Sequence, residues 1–253
     1  MNTPAEILNI WIENGKKKTA LSILKMLLLG IMAGIFIGFG ACIFIVATGG
    51  GYPDEALFGK FLGAALFPCG LMLVILCGAE LFTGNNLLTL ALFDRQVTFL
   101  KVLRNWITVY IGNLIGSVLI AYLFSLTVND DVIRNRAVSV AIGKVSGEFI
   151  PLMVKGILCN ILVVLACWFQ AGSRDLTGKV LAIWFPIAAF VFAGFEHSVA
   201  NMTYIPLGMF LGADVSVGDM FLKNLLPVTL GNMIGGALFV PVIYYICYGR
   251  KKK

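Results

Sequence analysis

The chain has 253 residues, of which 59% are hydrophobic and 13% charged, about half the charged share of an ordinary soluble domain. That balance excludes a soluble globular enzyme, a disordered chain and a disulfide-stapled miniprotein, while 28 glycines suit closely packed membrane helices. The net charge of +6 does not mark a nucleic-acid binder, because the cations sit in loops and tails around long apolar runs.

In chain order, residues 1–18 read as a short amphipathic segment for the membrane interface, with Ile7, Leu8, Trp11 and Ile12 on its apolar face. Lys16-Lys17-Lys18 then precedes an apolar run far too long for the core of a signal peptide. Six runs are long enough to span a bilayer, at about 21–48, 60–93, 105–127, 149–171, 179–211 and 221–248. Short polar loops separate them, at Pro53-Asp54-Glu55, Asp94-Arg95, Asn129-Asp130-Asp131, Gly172 to Asp175, and Asp214 to Asp219. The expected fold is therefore an all-α polytopic membrane protein, one domain over 1–253. An even number of spans puts both termini on one side. That side holds 13 of the 19 Lys and Arg residues, the other side five, and Lys155 lies within a span, so both termini are expected in the cytoplasm. The six cysteines all lie in apolar runs and read as reduced, buried small hydrophobes. With one histidine and no cysteine pair at ligand spacing, no metal or cofactor is expected.

The third and sixth spans repeat one another: Arg104-Asn105 followed by Gly112-Asn113-Leu114-Ile115-Gly116, and Lys223-Asn224 followed by Gly231-Asn232-Met233-Ile234-Gly235. The second and fifth share Glu80-x-x-x-x-Asn85 and Glu196-x-x-x-x-Asn201, and the first and fourth align weakly at Gly30 and Gly156. Three spans per half place the second half upside down, giving an inverted repeat of about 21–127 and 149–248, an arrangement of transporters and channels. The second and fifth spans carry polar clusters at matching depths, Glu80 to Asn86 and Glu196 to Thr203. Such paired interruptions point to helices broken at a substrate site. Half-helix N-termini, Lys155 and His197 together favour a small anion. Four ionisable groups at membrane depth, Glu80, Lys155, Glu196 and His197, are costly there and so are candidates for function. Asn113 and Asn232 read as braces between helices.

Four strings in order resemble the formate/nitrite transporter family: Gly78-Ala79-Glu80-Leu81-Phe82-Thr83-Gly84, Lys155-Gly156-Ile157-Leu158-Cys159-Asn160, Phe195-Glu196-His197-Ser198-Val199-Ala200-Asn201-Met202, and Gly231-Asn232-x-Ile234-Gly235-Gly236. The resemblance implies an aquaporin-like protomer in a homopentamer, each subunit with its own pore for formate, nitrite or hydrosulfide. It implies that Thr83, on a mobile loop, faces His197 across the pore, and that Lys155, Glu196 and Asn201 line the central site. It implies apolar constrictions at Phe67, Leu71, Leu81 and Phe190, with Glu80, Asn160 and Asn232 as structural polar groups. The string Phe82-Thr83-Gly84-Asn85-Asn86 departs from the Phe-Thr-Ser-Thr of formate channels and the Phe-Thr-Gly-His of nitrite channels, which leaves the hydrosulfide branch or an uncharacterised one open, with a slight lean to hydrosulfide. Formate, nitrite and hydrosulfide are conjugate bases of small weak acids. The mechanism expected is protonation by His197, with Glu196 orienting its ring, and passage of the neutral acid. The competing reading, a neutral-solute channel, calls for paired Asn-Pro-Ala boxes, which this sequence lacks.

Overall fold

The computed structural model describes residues 1–50 and 56–249; the loop expected at Pro53-Asp54-Glu55 and the basic end Arg250 to Lys253 lie outside them. The described residues form helices and turns. Helix α1 (Pro4–Thr19) starts at a capping box, in which Thr3 Oγ1 accepts from the Glu6 amide and the Glu6 carboxylate accepts from the Thr3 amide at 2.7 Å. The first span is α2 (Ile23–Gly49), capped by Ser22. The second is broken into α3 (Ala56–Leu66), α4 (Cys69–Leu76), a 3-10 run over Gly84–Leu88 and α5 (Thr89–Phe93). Then follow α6 (Phe99–Ser125), α7 (Asp131–Val145), α8 (Phe149–Gly172), α9 (Leu176–Ala193) and α10 (Ser198–Phe210). The last span, α11 (Val217–Tyr248), contains π-helical turns over Met220–Leu225 and Ile234–Phe239. Both turns run up to within two residues of a proline, Pro227 and Pro241, whose missing amide leaves an upstream carbonyl without its partner and lets the helix widen.

Among the described residues, six helical stretches are long and apolar enough to cross a membrane. Glycines set how closely they approach. A Cβ on Gly112 would lie 2.7 Å from the Leu27 carbonyl oxygen, so α2 and α6 cross backbone to backbone; a Cβ on Gly156 would lie 2.7 Å from the Val228 carbonyl oxygen, so α8 and α11 do the same.

Three expectations change. The stretch after Asp130 is a helix, α7, rather than loop; Asp130 caps it through the Val132 amide at 2.7 Å. The apolar face of α1 is covered by protein instead of lying on a lipid surface: Ile7, Leu8, Trp11 and Ile12 pack on Leu87, Leu90, Val164, Cys167, Trp168, Ala171 and Val240. The cysteines are all free, but Cys77 and Cys247 are exposed.

Candidate functional site: two vestibules and an apolar waist

Both broken spans are held by the same set of bonds. In the first half, the Asn113 side-chain amide donates to the carbonyls of Gly30 (2.8 Å) and Glu80 (2.9 Å), and its oxygen accepts from the Phe82 amide (2.9 Å). In the second half, Asn232 donates to the carbonyls of Gly156 (2.8 Å) and Glu196 (3.0 Å) and accepts from the Ser198 amide (2.9 Å). A helix broken in the membrane exposes backbone groups that nothing in lipid satisfies; each asparagine satisfies two of them and ties the break to a carbonyl of α2 or α8. Asn160, the fourth-span polar residue, ties the halves together by donating to Asn86 Oδ1 (2.9 Å) and the Asn232 carbonyl (2.7 Å).

The carboxylates follow the same symmetry. Lys18, at the end of α1, donates to Glu80 at 2.7 Å, and Asn85 donates to Glu80 (2.7 Å) and to Asn105 (2.9 Å). Lys144, at the end of α7, donates to both Glu196 oxygens (2.9 and 2.8 Å), and Asn201 donates to Glu196 (2.7 Å) and to Asn224 (2.8 Å). All four charged side chains are largely buried, so each carboxylate is both paired and hydrogen-bonded, as charge in a low dielectric requires.

Each of these clusters opens into a cavity. The α7 vestibule, about 260 Å³, is lined by Lys144, Glu196, His197, Arg136, Asn201 and Tyr204 and ends at Phe67 and Phe190. The α1 vestibule, about 250 Å³, is lined by Lys18, Glu80, Trp11, Asn14 and Gln170 and ends at Leu71 and Leu81. Between them lies a chamber of about 10 Å³ whose walls are Ile37, Phe67, Leu71, Leu81, Val163, Ile187, Phe190 and His197. That is room for at most a single water. The Phe67 and Phe190 rings meet edge to face at 5.8 Å, and Phe190 stacks on His197 at 5.9 Å.

The polar member of that chamber is fully specified. His197 is the N-cap of α10: its Nδ1 accepts from the Ala200 amide at 3.1 Å. A backbone amide only donates, so in the neutral ring Nε2 carries the proton and donates to Thr83 Oγ1 at 2.8 Å. His197 and Thr83 are both buried. Glu196 does not touch the ring, contrary to the expectation that it orients it; its oxygens are taken by Lys144 and Asn201.

The structure thus brings Thr83, His197, Phe67, Leu71, Leu81 and Phe190 to one point, with Glu196 and Asn201 in the adjoining vestibule. It does not bring Lys155 there. The Lys155 side chain is exposed and lines neither vestibule; only its backbone carbonyl contributes, accepting from the Glu196 amide at 3.3 Å. The vestibule cations are Lys18, Lys144 and Arg136, none of which sequence reasoning singled out. A signal for two of them was present: Lys18 stands before Gly30 as Lys144 stands before Gly156, so α1 and α7 are themselves repeat-mates.

Broken helices meeting at a buried waist between two lysine-bearing vestibules define a multi-pass membrane transport channel. The chain belongs to the formate/nitrite transporter family, whose model matches residues 5–246. It is 41% identical over 246 residues to a probable formate transporter of Methanothermobacter thermautotrophicus, covering 88% of this chain and 89% of that one. Among solved structures it is similar to an FNT family ion channel (TM-score 0.88, 32% identity, 96% of this chain and 98% of that one). It is also similar to a pentameric formate channel with formate bound (TM-score 0.80, 32% identity, 90% and 98%).

Proposed function

We propose that this chain conducts small monovalent anions of weak acids, formate foremost with nitrite and hydrosulfide in the same class, across the cytoplasmic membrane. It works as a homopentamer with both termini in the cytoplasm. The named formate relative and the pentameric formate-bound neighbour support substrate and assembly; the excess of Lys and Arg on the side of the termini supports the orientation.

The observation that carries this reading is the buried His197–Thr83 pair, set in an otherwise apolar chamber between two lysine-bearing vestibules. A bare anion loses several kcal/mol of hydration on entering such a chamber. A weak acid has another route. Lys18 or Lys144 gathers the anion, and the low dielectric beyond raises the pKa of its conjugate acid. At the waist the anion takes the place of Thr83 as acceptor of the His197 Nε2 proton. Giving that proton up requires a second proton at Nδ1, drawn from a water of the α7 vestibule, which His197 also lines and into which the hydroxide is left, so the Ala200 amide must release Nδ1. The neutral acid then passes the Phe67–Phe190 and Leu71–Leu81 constrictions, and solvent exchange restores the starting tautomer.

Fluxes of formate, nitrite, hydrosulfide and chloride into proteoliposomes, at acidic and neutral pH, test this for wild type and His197→Asn. The weak-acid anions are expected to cross with chloride far behind, and the substitution to slow them by about a hundredfold and flatten the pH profile. Chloride keeping pace with formate, or glycerol crossing where no anion does, overturns the channel reading. An unchanged pH profile in His197→Asn overturns the histidine relay alone.

A further inference from the structure

The inverted repeat supplies an internal control for each vestibule, and the two differ in their balance of charge. Lys18 matches Lys144, Glu80 matches Glu196 and Asn85 matches Asn201. At the same offsets, Arg136 matches Ile10 and Tyr204 matches Leu88. The α7 vestibule therefore holds two cations against one carboxylate, while the α1 vestibule holds Lys18 against Glu80.

Arg136 is half-buried, and its Nε donates to Thr48 Oγ1 at 2.9 Å. That bond fixes the plane of the guanidinium, and its terminal nitrogens make no hydrogen bond to another described residue. Tyr204, 6% exposed, lines the same cavity, and Lys144 Nζ lies 5.5 Å from its ring centroid. Asn201 Oδ1, fully buried, has no hydrogen-bond partner among the described residues, whereas its repeat-mate Asn85 Oδ1 accepts from Lys18 at 3.0 Å. Lys144 instead gives both its contacts to Glu196.

We propose that Arg136, with Lys144 and the Tyr204 hydroxyl, forms an oxyanion-binding subsite in the α7 vestibule, ahead of the Phe67–Phe190 constriction. This deepens, and rests on, the anion-channel reading. A planar guanidinium pairs two oxygens at once. The subsite thus favours two-oxygen anions such as formate and nitrite over hydrosulfide or chloride, and it holds oxyanions too large for the 10 Å³ chamber as blockers. The two mouths of the pore are consequently unequal.

Sulfate is the probe. It is titrated calorimetrically into the purified full-length protein in detergent, and applied to one face at a time of singly oriented proteoliposomes during formate flux. Sulfate is expected to bind the wild type and to block from the face opposite the N-terminus. Arg136→Gln weakens both effects by about tenfold or more, Arg136→Lys less, and Tyr204→Phe by a few-fold. Tyr204→Phe, which removes a single oxygen, and Arg136→Lys carry the test if Arg136→Gln does not fold. Equal block from both faces, or sulfate binding unchanged by Arg136→Gln and Tyr204→Phe, overturns the subsite. If no anion is conducted but sulfate binds and is lost with Arg136→Gln, the subsite stands and the transport reading fails.

Discussion

The two halves of the molecule fix their broken spans with matching bonds and then use the break differently. In the second half α10 starts at once, and its N-cap is His197. In the first half the chain turns over residues 77–83 before a short 3-10 run, and Thr83 comes from that irregular stretch. The central chamber shows the same division: among its walls Ile37 and Val163 are repeat-mates, as are Leu71 and Ile187, but the mate of His197 is Leu81, and the mate of Thr83, which bonds His197, is Val199. The repeat conserves the bonds that hold the broken spans and diverges where the side chains line the path, at His197, Thr83, Phe67 and Phe190 as at Arg136 and Tyr204. Scaffold and chemistry are thus separable in this fold, residue by residue.

The strongest test of that division strikes the shared scaffold. Asn113→Leu and Asn232→Leu each remove three hydrogen bonds from buried backbone groups. Each is expected to destabilise by about 2–5 kcal/mol, read as the loss of folded protein on heating in detergent. If only one of the two variants is destabilised, the halves are not equivalent scaffolds. Next come the lysines. Lys18→Met and Lys144→Met leave Glu80 and Glu196 buried without their cation, at an expected cost of about 3 kcal/mol each. Formate flux through either should fall, and the double variants Lys18→Met/Glu80→Leu and Lys144→Met/Glu196→Leu should recover thermal stability but not flux. Recovery of flux as well would mean that the lysines serve only to neutralise the carboxylates. The smallest effect is expected where the halves diverge. Thr83→Val removes the acceptor of the His197 Nε2 proton, about 1 kcal/mol in stability, and should alter the pH profile of flux while leaving the melting temperature within a few degrees. A profile identical to wild type would exclude Thr83 from the chemistry.

Much of this organisation is legible in the sequence, and the gaps have physical causes. Apolar runs reveal spans because a bilayer demands length, and the polar clusters at Glu80 and Glu196 reveal breaks because lipid tolerates neither loose backbone nor lone charge. Helix α7 stays hidden because its residues are mixed in polarity and show no dominant apolar stripe. Only the matched positions of Lys18 and Lys144 mark it, and that match needs the repeat to be extended past the spans. Lys155 misleads for a geometric reason. It lies inside an apolar run, but one residue of helix turns its side chain about 100° away from Gly156, and the buried face of α8 is the one that carries Gly156, Cys159 and Asn160. Arg136 and Tyr204 are invisible to motif reading, since their proximity arises from α7 packing on α10.

The docking of α1 has a consequence for how the chain is made. The Asn2 amide donates to the Gly172 carbonyl at 2.8 Å, and Leu8 and Trp11 rest in a cluster with Trp168 and Val240. These partners leave the ribosome long after α1 does. Helix α1 is thus made well before the residues that seat it, and Glu80 is made before α1 has a complete dock from which Lys18 can reach it. An amphipathic helix therefore waits for its apolar dock until the last span, which carries Val240, has been made.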